Sequence, residues 1–455
     1  MTTKDRVGDI IETEIKDLAF DGKSVGTNNG KIVFLNAGLP GETVRARLIK
    51  TKAKFSVGKV EKILKKSSDR IEPECPHFEL CGGCTWQDLD YDNQLYYKRK
   101  QVVDCIEHIG KLTDIEVAEI VPCADHFYYR NKMEFSFNAA DDGGFNLGLH
   151  HRGKWDQIFD VTNCLLESKN SNRIIEIVRE FVRENKIPAY DVNNHLGFIR
   201  FLMIREAKNN NQTMINLVTT DGAIPNIDSL IDKLIATIPE IRTIVHNTNN
   251  SKSNIAKGES ETILYGDGFI EEIILGKKFK IYANSFFQTN SRQAEKLYST
   301  AFEFLEADQS DYLIDFYCGT GTIGLCASDR VKHVVGIELE DSSVKAAQEN
   351  AGINSIKNID FIAGSVQDVL KNQPEIFRDA TCAVVDPPRA GLHPKAIKRL
   401  LEMDLKKLVY ISCNPATFAR DASQMAEAGY KIKKVVPVDM FPHTMHIELA
   451  AGLYK

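Results

Sequence analysis

Cys413 is the side chain of this 455-residue chain with the most obvious capacity for covalent chemistry. It stands in the segment Tyr410-Ile-Ser-Cys-Asn-Pro415, where an apolar strand candidate stops at an Asn-Pro pair. Ligands of an α/β sheet bind at the carboxyl ends of its strands, so a cysteine there would project into a crevice. Most cysteines are instead small core residues, and the neighbours on the same sheet edge decide between the two.

A glycine-rich turn is predicted on that edge. The segment Asp315-Phe-Tyr317-Cys-Gly319-Thr-Gly321 follows a strand candidate and precedes a helix, and Glu338 ends the next strand, 19 residues after Gly319. Glycines allow a tight turn and a close approach of the ligand, and a carboxylate can accept both ribose hydroxyls. The pattern predicts an adenosine ligand but does not separate NAD from S-adenosylmethionine.

Three further segments carry groups suited to a site. Val384-Val-Asp386-Pro-Pro-Arg389 holds Asp386 on a loop stiffened by two prolines. Pro442 to Ala450 is predicted to be a late strand with one acid, Glu448; an ion pair and a general base are equally open. Phe286 and Gln288 could stack on a base and hydrogen-bond it.

Together these groups suit the methylation of carbon 5 of uracil. A thiolate that adds to carbon 6 makes carbon 5 nucleophilic enough to accept a methyl group from a sulfonium, and a base must then remove the carbon 5 proton. The sequence offers a cysteine, an acid and an adenosine pocket for these tasks. A uridine in folded RNA must be extruded to reach such a site, which gives a stacking aromatic its value.

A second cysteine group lies nearer the amino terminus. Cys75, Cys81 and Cys84 have gaps of five and two residues, which is typical of ligands for zinc or an iron–sulfur cluster. Three cysteines need a fourth ligand. The candidates are Cys105, Cys123 and Cys164.

Bulk properties indicate an ordinary globular protein of two or three domains, with 43% hydrophobic and 26% charged residues. We expect it in the cytoplasm, because the sequence shows no signal peptide or bilayer-spanning apolar run. Net charge is −6, yet residues 43–70 hold ten Lys and Arg against two acids, a local charge of +8. Such a run binds phosphates or is a solvated face.

The elements that position these residues follow from periodicity. Residues 7–65 contain short strand candidates typical of a small barrel, and in Glu42–Ile49 the alternation puts Arg45 and Arg47 on one face. A helix is predicted over Asn93–Ile109. From about residue 285, strands and helices alternate, which predicts a doubly wound α/β sheet. Its strand candidates are Tyr312–Asp315, His333–Ile337, Cys382–Val385 and Leu408–Ser412.

The motifs D-x-Y-C-G-x-G, D-P-P-R, S-C-N-P and H-x-E, in that order, resemble the RNA uracil-5-methyltransferase family, and the stretch from Gly41 to Val44 with its basic continuation resembles a TRAM domain. The resemblance implies a Rossmann-like methyltransferase domain over 281–455 that uses S-adenosylmethionine. It implies an OB-like TRAM β-barrel over 1–68 that binds RNA. Between them it implies an α+β central domain over 69–280, whose segment 93–124 packs with the catalytic domain.

The resemblance also implies roles for residues. Cys413 would be the nucleophile, Glu448 the base, and Phe286 the ring that stacks on the flipped uracil. The cofactor pocket would include the two motif glycines, Gly319 and Gly321, together with Gln288, Tyr317, Glu338 and Asp386. A [4Fe-4S] cluster would be held by Cys75, Cys81, Cys84 and Cys164.

For the substrate we expect 23S ribosomal RNA. The transfer RNA T loop is the first alternative, and a non-catalytic RNA-binding protein with a degenerate fold is another. The intact Cys413 and Glu448 argue against the latter. We expect a monomer with no DNA or membrane partner.

Overall fold

Alternating apolar residues close the first part of the chain into a five-stranded barrel. The structure, a computed structural model, describes residues 5–140 and 143–455. The barrel strands are β1 (Ile10–Leu18), β2 (Ser24–Asn28), β3 (Lys31–Leu35), β4 (Thr43–Thr51) and β5 (Phe55–Lys65). They join in the order β1-β2-β3-β5-β4. Val44, Ala46 and Leu48 are buried in its core, as the alternation predicts. The exposed Arg45 and Arg47 pair with acids of neighbouring strands.

A helix and a short strand follow the barrel in sequence. The strand is part of the carboxyl-terminal sheet, and the helix packs with that sheet. They are α1 (Tyr91–His108) and β6 (Glu116–Val117). Asp90 caps α1 by accepting from the N–H groups of Asp92 and Asn93.

The central region is a seven-stranded sheet with two helices. Its elements are β7 (Lys132–Ala139), β8 (Phe145–His150), β9 (Ile158–Asp160), α2 (Lys169–Glu184), β10 (Ile199–Ala207), β11 (Gln212–Thr219), α3 (Ile227–Thr237), β12 (Ile241–Thr248) and β13 (Ser260–Tyr265). The strand order is β13-β12-β11-β10-β7-β8-β9. Apolar residues of α2, such as Ile174 and Val178, pack with Phe135 and Leu202 of the sheet into one core.

A hairpin and an eight-stranded sheet complete the chain. The elements are β14 (Phe269–Ile274), β15 (Lys277–Tyr282), α4 (Ser291–Leu305), β16 (Tyr312–Phe316), α5 (Thr322–Ala327), β17 (His333–Glu338), α6 (Asp341–Ile353), β18 (Ile359–Ala363), α7 (Val366–Asn372), β19 (Cys382–Val385), α8 (Pro394–Glu402), β20 (Lys407–Ser412), α9 (Pro415–Glu427), β21 (Lys431–Val438) and β22 (Glu448–Tyr454). The sheet order is β18-β17-β16-β19-β20-β22-β21-β6. Strands β16 to β20 are parallel, and β22 is antiparallel to both of its neighbours. This arrangement confirms the predicted α/β fold class.

One predicted element is wrong. The late strand does not begin at Pro442, because β22 starts at Glu448 and residues 439–447 form a loop. Proline lacks a ladder donor, and His443 has a φ of 65°, which a strand residue does not adopt. This loop leads directly to Glu448. Within the described ranges, no helix is long and apolar enough to span a bilayer.

Candidate active site and cysteine group

Three motifs meet at one edge of the eight-stranded sheet. In the parallel register Phe316 lies beside Val385, and Val385 lies beside Tyr410. The glycine turn, the Asp-Pro-Pro-Arg loop and the Ser-Cys-Asn-Pro turn each follow one of these strand ends. The fold therefore brings together segments that are far apart in sequence.

Strand pairing places Cys413 opposite Glu448. The ladder between β20 and β22 pairs Ile411 with Ala450 and Ser412 with Leu449. Continued by one residue, it sets Cys413 across from Glu448. Cys413 is half-buried at the rim, whereas Glu448 is only 6% exposed. The sulfur is thus at the surface of the crevice, with a carboxyl group beside it.

Asn414 fixes the turn that follows Cys413. Its Oδ1 accepts from the Ala416 N–H at 3.0 Å and caps α9, and its Nδ2 donates to the Arg389 carbonyl at 3.0 Å. One side chain therefore ties the cysteine turn to the Asp-Pro-Pro-Arg loop.

The electrostatics of this pair keep protons on both groups. Burial raises the pKa of the Cys413 thiol to about 11, Glu448 and Asp386 add to the effect, and the guanidinium of Arg389 opposes it. Burial also raises the pKa of Glu448 well above its usual range, with a further contribution from Asp386 and the same opposition from Arg389. A carboxylate with a raised pKa is a stronger base once it is ionised.

The glycine turn lies beside Glu338, the last residue of β17. The Gly319 N–H donates to Glu338 Oε2 at 3.0 Å, and the Glu340 N–H donates to Oε1 at 3.0 Å. Gly319 has a φ of 55°, and a Cβ there would point into open space. Each carboxylate oxygen keeps a second lone pair for a hydroxyl donor. Tyr317, before the turn, has a φ of 64°.

Two more carboxyl groups line the same edge. Asp315 is fully buried, and its Oδ2 accepts from the Gly324 N–H at 2.8 Å. Burial raises its pKa to about 8 despite that hydrogen bond, and Asp386 and Glu338 raise it further. Burial alone raises the pKa of Asp386 to about 6. Such clustered carboxyl groups with raised pKa values are typical of a functional site.

Phe286 and Gln288 occupy different environments. Phe286 is 70% exposed, whereas its neighbour Phe287 is buried in the core. Gln288 hydrogen-bonds to the buried Tyr298 hydroxyl, which lies within electrostatic reach of Asp386. Gln288 is thereby linked to the crevice, and the Phe286 ring is free to stack on a ligand.

The structure groups four cysteines of the amino-terminal half. Cys81, Cys84 and Cys164 are buried in the central core, and Cys75 packs against it. Burial raises the pKa of Cys84 to about 12, with additional effects from Cys164, Cys81 and Cys75. N–H groups of Gly83 and Gln87 point to Cys81 and Cys84 sulfurs at 3.3 and 3.6 Å.

The other two candidates for the fourth ligand lie elsewhere. Cys105 belongs to α1, and Cys123 contacts Asn290, which caps α4. Across residues 5–140 and 143–455, no set of three or more His, Cys, Asp or Glu side chains is close enough to hold a single metal ion.

Arg389 is the group whose role the motif alone did not reveal. It is exposed, and it is the cation that acts on both Cys413 and Glu448. The sequence feature that could have indicated this role is its position directly after Asp386-Pro-Pro, because two prolines fix the direction of the residues on both sides of them.

A Rossmann-like sheet with a glycine turn, an acid at the end of the next strand and a cysteine at the rim is the arrangement of an S-adenosylmethionine-dependent methyltransferase. The family model described as tRNA (Uracil-5-)-methyltransferase matches residues 90–455, and the TRAM domain model matches residues 4–60. The chain belongs to the RNA uracil-5-methyltransferase family and carries a TRAM domain.

Relatives match the chain along its length. An RNA methyltransferase of Caldanaerobacter subterraneus subsp. tengcongensis is 38% identical over 98% of this chain and 99% of its own. One of Chlorobaculum tepidum is 38% identical over 98% of this chain and 96% of its own. The crystal structure of Pyrococcus abyssi tRNA (uracil-54, C5)-methyltransferase with S-adenosyl-L-homocysteine superposes with a TM-score of 0.78, at 31% identity, over 97% of this chain and all of that one.

Proposed function

We propose that the protein methylates carbon 5 of a uridine in 23S ribosomal RNA, with Cys413 as nucleophile and Glu448 as base. The observation that carries this proposal is the strand register that sets the two groups opposite each other at the glycine-turn edge. A cysteine without a neighbouring acid could form the adduct but could not release it.

The reaction begins with Cys413. Its thiol loses a proton to solvent, and the thiolate adds to carbon 6 of uracil, which moves the electron pair of the 5,6 double bond into an enolate. Arg389 is the cation placed to stabilise that charge. S-adenosylmethionine, when bound, supplies the methyl group to carbon 5.

Glu448 completes the reaction. Its carboxylate removes the proton from carbon 5, the electron pair restores the 5,6 double bond, and the carbon–sulfur bond breaks to release the Cys413 thiolate. Before this step Glu448 has lost its resting proton to solvent, and afterwards it keeps the proton taken from carbon 5. The Cys413 thiolate regains a proton from solvent, so both groups return to the protonated resting state.

The remaining site residues have binding roles in this proposal. Phe286 stacks on the extruded uracil, which replaces the neighbouring bases it loses. The adenosine and methionine parts of the cofactor lie against Gln288, Tyr317, Gly319, Gly321, Glu338 and Asp386. Exposed lysines on β4, β5 and their connection give the barrel a positive surface for phosphates.

The choice of 23S ribosomal RNA rests on the pairing of a TRAM barrel with the cysteine group. A transfer RNA T loop is the second candidate, because the superposed Pyrococcus abyssi enzyme acts on uracil 54 of transfer RNA. We place the enzyme in the cytoplasm as a monomer. Its proposed units are a barrel over 1–68, a central domain over 69–280 and a catalytic domain over 281–455.

Labelled methyl transfer to the two RNAs separates these candidates. Unmodified 23S ribosomal RNA and transfer RNA transcripts are incubated with the wild type and with Cys413→Ala. We expect label in 5-methyluridine of the ribosomal transcript only, and none with the variant. Label only in transfer RNA overturns the substrate proposal, and full activity of Cys413→Ala overturns the mechanism.

The cysteine group would hold a [4Fe-4S] cluster through Cys75, Cys81, Cys84 and Cys164. Three of these thiols act electrostatically on the fourth, that of Cys84, and N–H groups point to the Cys81 and Cys84 sulfurs. A cluster of four irons would take one thiolate at each iron, so its ligands need not converge on one ion. The cluster would tie residues 75–84 to residue 164. We expect brown protein with about four irons per chain; stoichiometric zinc without iron contradicts this.

A further inference from the structure

Residues 439–447, which lead to the proposed base Glu448, are called the catalytic loop here. Helix α1 contacts this loop through three side chains on one face. Tyr91, Gln94 and Lys98 are spaced by three and four residues, which aligns them along the helix. All three bond to residues 439–443, more than 340 positions later in the chain.

Lys98 and Asp439 form a completely buried ion pair at the start of that loop. Both side chains are 0% exposed, and Lys98 Nζ lies 2.7 Å from Asp439 Oδ1. The same ammonium group donates to the Phe441 carbonyl at 2.9 Å. Tyr91 Oη donates to the other carboxylate oxygen at 2.8 Å. The loop backbone is therefore held by charged and hydrogen-bonded groups rather than by apolar packing alone.

The rest of the loop is equally constrained. Gln94 Oε1 accepts from the His443 N–H at 2.8 Å, and the Thr85 and Trp86 N–H groups donate to the His443 carbonyl at 2.8 and 3.0 Å. Tyr129 Oη donates to the Pro442 carbonyl at 3.1 Å. These bonds hold His443 in its left-handed conformation, in which a non-glycine residue is strained.

The loop is fixed close to Glu448 because its first residue follows the strand partner of Glu448. Val438 pairs with Glu448 across β21 and β22, and Asp439 directly follows Val438. The buried ion pair therefore fixes the chain at Asp439, one residue after Val438, the strand partner of Glu448. Apolar residues of similar volume would fill the space with less desolvation, so stability alone does not account for two buried charges.

We propose that Lys98 and Asp439 are positioning residues, which hold the catalytic loop so that the Glu448 carboxylate faces carbon 5 of the Cys413 adduct. Neither touches the substrate. The inference rests on the proposed role of Glu448 as base and predicts a defect confined to the step that Glu448 performs. A misplacement of about 1 Å can cost about 100-fold in rate.

The test measures the two halves of the reaction separately. Full-length wild type, Lys98→Met with Asp439→Asn, and Tyr91→Phe are given labelled S-adenosylmethionine and substrate RNA. Labelled RNA that stays bound to protein after denaturation is the methylated adduct, and labelled free RNA is product. The matched control is Lys100→Met, which removes an ion pair of the same helix with Asp17 and leaves the catalytic loop untouched.

In the double variant we expect the ratio of methylated adduct to free product to rise about 10- to 100-fold, because elimination slows while methyl transfer does not. Tyr91→Phe removes the hydrogen bond to Asp439 and the one that the hydroxyl accepts from the Cys123 N–H, and we expect a rise of about fivefold. Lys100→Met should behave as the wild type. An unchanged ratio in a folded double variant overturns the proposal, and if that variant does not fold, an unchanged ratio in Tyr91→Phe overturns it.

Glu448→Gln, assayed beside these variants, separates this inference from the proposed function. If it accumulates methylated adduct and the double variant does not, only the positioning role fails. If Glu448→Gln itself accumulates none, the base role fails and the positioning role fails with it.

Discussion

The resting state of Cys413 can be tested by its reactivity toward an alkylating reagent. Its pKa of about 11 means that at pH 8 about one thiol in 1,000 is ionised, against about one in four for an ordinary cysteine with a pKa of about 8.5. A more basic thiolate is also more nucleophilic, by about 0.4–0.5 log units per pKa unit, and this recovers about tenfold of the rate that the smaller ionised fraction loses. We expect Cys413 to react with iodoacetamide about 25-fold more slowly than free cysteine.

The assay follows alkylation of the peptide that contains Cys413 by mass spectrometry, between pH 7 and pH 11. Because only the thiolate reacts, the rate should rise about tenfold per pH unit and level off near pH 11. Cys382, which is fully buried, provides an unreactive internal control. Free cysteine in the same tube calibrates the reagent.

Two substitutions should move this profile in opposite directions. Arg389→Gln removes the cation that opposes the shift, so the pKa of Cys413 should rise and alkylation should slow. Glu448→Gln removes a nearby anion at alkaline pH, so the pKa should fall and alkylation should quicken. A wild-type midpoint at or below about 8.5 would refute the reasoning, because it would mean that the resting site already stabilises the thiolate.

Four further outcomes follow from the site. Glu448→Gln should slow adduct breakdown by about 100- to 10,000-fold, seen as a denaturation-resistant protein–RNA band, and turnover without such a band would contradict the base role. The Glu448→Gln variant should also unfold at a higher urea concentration than wild type at pH 8. Because the pKa of Glu448 is raised in the folded protein, the free energy of unfolding of wild type falls as pH rises above the pKa of an unfolded glutamate, about 4.3. Glutamine does not titrate, so the variant does not lose this stability. The preference for S-adenosylmethionine over S-adenosylhomocysteine should weaken as pH falls through about 6, because Asp386 then gains a proton and no longer attracts the sulfonium. Titration calorimetry should show this pH dependence in wild type but not in Asp386→Asn. A wild-type ratio of the two affinities that does not change with pH would argue against contact between Asp386 and the cofactor. Asn414→Ala should lower the free energy of unfolding by about 1 kcal/mol, because the α9 cap is lost. In urea unfolding Asn414→Ser should be as stable as wild type, because serine can cap the helix, although it does not restore the bond to the Arg389 carbonyl. Equal stabilities of the alanine and serine variants would show that the cap contributes little.

Local patterns sufficed for the parts of the fold that local forces determine. The alternation in β4 predicted which of its residues face the barrel core, because one strand has only two faces. The position of Cys413 at a strand end followed from an apolar run that stops at Asn-Pro. The position of Glu338 at the end of β17 followed from the alternation of strands and helices.

Contacts between distant segments were beyond these patterns. Nothing in the neighbourhood of Lys98 indicates Asp439 as its partner, because 341 residues separate them. The strand predicted from Pro442 failed for the same reason. Its mixed apolar residues suit a strand, but the helix face, the Tyr129 hydroxyl and the Thr85–Trp86 backbone satisfy its polar groups without one.

Because strand pairing sets Cys413 opposite Glu448, the exposed connection between α9 and β21 can change length during evolution without moving either side chain. The same is not true of residues 439–447, which are held by side chains of α1. A single residue added within β22 would instead turn Glu448 to the other face of the sheet and abolish its encounter with the adduct. Sequence drift in this half of the protein should therefore concentrate between α9 and β21 and spare the strands and residues 439–447.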